Sequence, residues 1–171
     1  MPDSLSQVLH AQFDAALAML TNTIDTCPPI HWTGIVAKYP FWLVAYHTLC
    51  FADLYLTPDE KQFQPHTMHP NGWSEYNDEY PSRRFEKPEL QAYASLCRQK
   101  AANTFAEEIA ESLAGPSGHS RLNFSRAELH IYNLRHVQHH AAQLAAFLRR
   151  VEYSLQSPQA LRWVRSGWPS T

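Results

Sequence analysis

The segment from about Pro40 to Leu56 contains FWLVAYHTLCFADLYL, a run that is apolar on nearly every side of a helix. A helix of that kind must be enclosed by other elements. It is too short, and too interrupted by His47 and Asp53, to enter a bilayer, so the enclosure has to come from the chain itself. Pro40 suits the first helical turn and Thr57-Pro58 stops the run.

Three further segments can supply that enclosure. Ser4 and Gln7 form a capping box, after which Leu5, Val8, Leu9, Phe13, Ala16, Leu17, Leu20 and Ile24 recur at helical spacing until Cys27-Pro28-Pro29. A third helix is expected from near Pro88, with Leu90, Tyr93, Cys97, Ala101, Phe105, Ile109 and Leu113 on its stripe and Gly115-Pro116 as its stop. Ser125 and Glu128 open the fourth, which stays periodic from Leu129 to about Leu155. Ser157 and Pro158 can start a short helix in a C-terminal tail, 156–171, with Trp163 packing back. With almost no strand pattern, the chain reads as an all-α four-helix bundle, one domain over residues 1–171.

Residues 57–87 are the irregular part, rich in proline, histidine and aromatics. A connection of that length inside a compact domain is usually either functional or disordered. Trp73, Tyr76, Tyr80 and Phe85 are too aromatic for a solvated linker and are expected to pack over the bundle. The connection is also long enough to let the second and third helices run parallel.

Charge excludes some functions. A net charge of −2 provides no basic field for a phosphate backbone, so no nucleic-acid partner is expected. Phosphate-binding motifs are absent, and five glycines are too few for such loops. Cys27, Cys50 and Cys97 are odd in number and far apart, as in reduced intracellular proteins, with Cys50 and Cys97 on core stripes. No leader pattern and no long apolar run are visible, so a cytoplasmic location with no membrane partner is expected.

Three of the ten histidines fall where side chains should point inward. His47 lies among Leu43, Val44, Cys50, Phe51 and Leu54; His136 and His140 stand one turn apart on the last helix, with His139 on the polar flank. Core-facing imidazoles need partners for their ring nitrogens, and one ion satisfies a nitrogen on each. The plainer alternative is a set of hydrogen-bonded core histidines in a non-enzymatic, structural or metal-storing bundle. His10, His31, His66, His69, His119 and His130 read as surface, loop or cap-region residues, though His66 or His69 can add a fourth ligand.

The segments PFWLVAYHTLCFADLYL and NLRHVQHHAAQLAAFLR resemble the second and last bundle helices of the DinB-like superfamily. In that family one metal-ligand His sits mid-helix among aromatics, and a His-x-x-x-His pair precedes a small-residue pair and Gln-Leu or Gln-Ile. The resemblance covers nearly the whole chain in order of elements and is specific at these two motifs. It implies that His47, His136 and His140 are the metal ligands, and it places His139 and Gln143 beside the site. Ala141-Ala142 departs from the Arg-Gly common there, which removes any contact made by that arginine. It further implies an up-down-down-up bundle with a long crossover between helices 2 and 3, bound zinc or nickel, and a homodimer.

Among the activities the family contains, the expectation is a metal-dependent transferase that moves a low-molecular-weight thiol to an electrophilic small-molecule substrate. The alternative on the same site is a metal-dependent hydrolase. Three neutral imidazoles leave an ion its full charge and acidify either a thiol or a water that reaches it, so ligand type does not choose between them. Arg83 and Arg84 either greet a carboxylate at the pocket mouth or pair with Glu79, Glu86 and Glu89. Asn133, one turn before His136, can support a ligand ring or face a polar core pocket.

Overall fold

A computed structural model describes residues 4–65, 83–155, 161 and 163–169. His66, His69, Trp73, Tyr76, Tyr80 and the Ser157-Pro158 turn lie outside the described residues. The long helices are α1 (Leu5–Thr26), α2 (Phe41–Leu56), α3 (Lys87–Glu107) and α5 (Arg126–Val151), with a short α4 (Ala110–Ala114) before the last. Ser4 caps α1 in the reciprocal arrangement with Gln7, and the Ser125 hydroxyl accepts from the Glu128 N–H at 3.2 Å. At α3 the Glu89 carboxylate reaches back to the Glu86 N–H at 2.9 Å.

The apolar character of α2 is matched by its burial: fourteen of its sixteen residues are buried, the exceptions being His47 and Phe51. α1 and α2 each pack against both α3 and α5, so the four long helices form one bundle. Along α2 and α3, Leu49 meets Cys97, Asp53 meets Lys100, and Leu56 meets Thr104. Along α2 and α5, Phe41 meets Phe147, His47 meets His136, and Ala52 meets Asn133. A two-stranded hairpin, β1 (Ile35–Val36) and β2 (Tyr39–Pro40), precedes α2 in antiparallel register with Val36 opposite Tyr39. No helix among the described residues is long and apolar enough to cross a membrane.

The third helix departs from its expected course. It stops at Glu107 rather than running through Leu113, and Ile109, placed on the core stripe, is 59% exposed. The break turns Glu108 inward, where its carboxylate accepts from Arg126 Nε at 2.8 Å, pairs with His130 Nε2 at 2.9 Å, and receives the Ser112 hydroxyl. His130 is therefore not a surface residue: it is 1% exposed and packs on Phe105. His119, in the loop before α5, is also buried. That loop closes on α2 through Gly118, at φ +82°, where a Cβ would lie 1.8 Å from Pro58 O.

The tail corrects a second expectation. Trp163 is 72% exposed, whereas Leu161 is buried and Trp168 packs against the core. The Gly167 N–H donates to Ala11 O at 2.8 Å, which holds Trp168 over α3 with its ring 4.0 Å from the Arg98 guanidinium carbon.

Candidate metal centre

His47, His136 and His140 meet on the side of the bundle where α2 faces α5. One ring nitrogen from each lies within 4.8 Å of the other two. His47 Nε2 and His136 Nε2 are 3.3 Å apart, and the ring centroids of the three pairs are separated by 4.7 to 5.3 Å. All three side chains are half-buried, reachable from solvent but enclosed enough to be held.

The donor set fits a transition-metal ion on two grounds. First, two nitrogens bound at ~2.0–2.1 Å to a tetrahedral ion lie about 3.3–3.4 Å apart; His47 Nε2 and His136 Nε2 stand at that separation, which a hydrogen bond between the two rings gives equally. Second, the His136 and His140 rings are held neutral, as ligands must be. Burial drives His136 down to about 2, with the neighbouring rings of His140, His47 and His139 adding to it. Burial lowers His140 to about 4 against the opposing hydrogen bond to Gln143.

The groups behind the rings differ. His140 Nδ1 lies 2.8 Å from Gln143 Oε1, which can only accept, so Nδ1 carries the proton and Nε2 keeps its lone pair. His136 Nδ1 is buried with no hydrogen-bond partner among the described residues. Asn133 does not serve it: its amide donates to Ala52 O at 3.2 Å, closing on α2 rather than on a ligand ring. His139 is exposed, with its ring 5.0 Å from that of His140.

Of the other candidates, Arg83 and Arg84 are paired with Glu89 at 2.8 Å and Glu86 at 2.6 Å, the plainer of the two readings. Gln143 owes its place to the three-residue step from His140, a spacing visible in the sequence although its role was not. Phe51, a core neighbour of His47 by sequence, stands one turn after it with its ring 4.9 Å away. No protein-family model, no curated protein and no solved structure matches the chain.

Proposed function

We propose that this chain is a divalent-metal protein of the DinB-like kind, with His47, His136 and His140 as ligands to zinc or nickel. Its activity is the metal-dependent transfer of a small-molecule thiol to an electrophile. The observation that carries the metal reading is the convergence of three imidazoles from two helices, with one Nε2–Nε2 separation matching a tetrahedral ion. The order of contacts along α2, α3 and α5 supports an up-down-down-up bundle, with 57–87 as the crossover. Cys27, Cys50 and Cys97 are buried and not in disulfides, which supports a cytoplasmic setting. A homodimer belongs to the same reading, with the exposed Leu5 and Val8 of α1 as available apolar surface.

When bound, such an ion supplies a Lewis acid that lowers the pKa of a thiol or water. The chain's own part is to present three imidazole rings, to hold the His140 proton on Nδ1 through Gln143, and to keep water from one flank with Phe51.

Elemental analysis of tag-free protein tests this, with wild type beside His47→Ala and His136→Ala/His140→Ala. Near one equivalent of a single transition metal in wild type, lost in both variants, is the expected result. Equal emptiness of all three after dialysis against zinc and nickel overturns it. On loaded protein, turnover that needs an added thiol supports transfer, and turnover without thiol assigns hydrolysis instead.

A further inference from the structure

The two positions at which α2 is not buried, His47 and Phe51, are one turn apart and face the same way. The opening that exposes a metal ligand therefore also exposes a phenyl ring. Phe51 lies 4.9 Å from the His47 ring and 5.5 Å from that of His136. The rings continue outward: Tyr55 is 5.4 Å from Phe51, Tyr132 is 5.5 Å from Tyr55, and Phe124 is 5.9 Å from Tyr132. Tyr55 is buried and backs the others, whereas Phe51 and Phe124 are half-buried and Tyr132 is 38% exposed. An uncharged aromatic wall, built by α2, α5 and the loop before α5, thus runs from the histidines to the surface.

We infer that the substrate of this centre carries an aromatic or flat apolar group, which lies along Phe51 and Tyr132 while its reacting atom faces the ion. The inference rests on the metal reading and adds the substrate class to it. A charged or strongly hydrated group gains less from these ring faces than it loses in hydration. A ring gains both area burial and offset or edge contacts with the two side chains. Arg83 and Arg84 are engaged by Glu89 and Glu86 rather than open to a carboxylate.

Two small chelators with the same metal-binding group test it: acetohydroxamate and benzohydroxamate, titrated against zinc-loaded wild type, Phe51→Leu and Tyr132→Ala. Benzohydroxamate is expected to bind wild type at least about tenfold more tightly, the worth of one buried ring face. Tyr132→Ala, at an exposed side chain, is expected to lose most of that preference at unchanged metal content and unchanged acetohydroxamate affinity. Phe51→Leu keeps apolar bulk and is expected to lose a smaller part. Equal affinity of the two probes for wild type, a preference untouched in both variants, or no binding of either probe to loaded protein overturns the inference. Metal content measured on the same samples separates these failures from failure of the metal reading, in which no zinc is taken up at all.

Discussion

At His140 the chain supplies both a ligand atom and the group that orients it, whereas His136 has no partner among the described residues behind its ring. Gln143→Ala is therefore expected to weaken zinc affinity about 10- to 100-fold, read by competition with a chromophoric chelator. Gln143→Glu, which still accepts from Nδ1, should stay near wild type; equal affinities in all three would remove Gln143 from the site. A second histidine makes a pH prediction. Burial lowers the pKa of His130, and the bond to Glu108 opposes it without winning. The folded chain then holds fewer protons there than the unfolded chain below the ordinary value of about 6.5. Stability consequently rises with pH through that window and is lost as pH falls below it. In metal-free protein, where His136 and His140 act in the same sense, His130→Phe should flatten denaturation midpoint against pH between about 6.5 and 5. An unaltered curve would place the acid loss elsewhere.

Among the elements, α2 depends most on its neighbours. Its last carbonyls have no partners within the helix, and Arg126 from α5 supplies them, with Nη1 donating to Thr57 O at 3.0 Å and Nη2 to Leu56 O at 3.0 Å. The same guanidinium holds Glu108, whose carboxylate stays below its usual range because the bonds from Ser112, Arg126 and His130 outweigh its burial. Arg126→Ala thus leaves both a helix end and a buried charge unserved. It should cost about 3–5 kcal/mol in urea unfolding, and a loss under about 1 kcal/mol would show that water serves these groups as well. The break of α3 at Glu107 belongs to the same cluster, since an unbroken helix would carry Glu108 away from Arg126.

For the whole molecule, the candidate ion would join α2 to α5 through ligands 89 residues apart, His47 and His136. A ligand that binds only the folded chain stabilises it by about 2.7 kcal/mol at a hundredfold excess over Kd. For a chain of 171 residues that raises Tm by about 5–11 °C. Zinc or nickel should produce such a shift in wild type, EDTA should reverse it, and His47→Ala should show none. A shift of the same size in His47→Ala would move metal binding to another site.

The sequence by itself determined the four long helices, apart from where α3 ends, and the inward setting of the three histidines, because both are written in local spacing. Capping residues, the 3.6-residue stripe and the apolar Phe41–Leu56 run depend on neighbours a few positions away. The four-residue step from His136 to His140 is equally local. What the tertiary structure decided is everything that needs two distant segments at once. It brought His47 within ligand distance of that pair, turned Glu108 inward to Arg126 and His130, and chose Trp168 over Trp163 as the tail's anchor. It also lined one flank of the histidines with rings from α2, α5 and a loop. Periodicity shows which face of a helix is apolar, but not which polar group on another helix will need a partner inside. Those pairings arise only when burial makes an unpartnered charge or ring nitrogen costly.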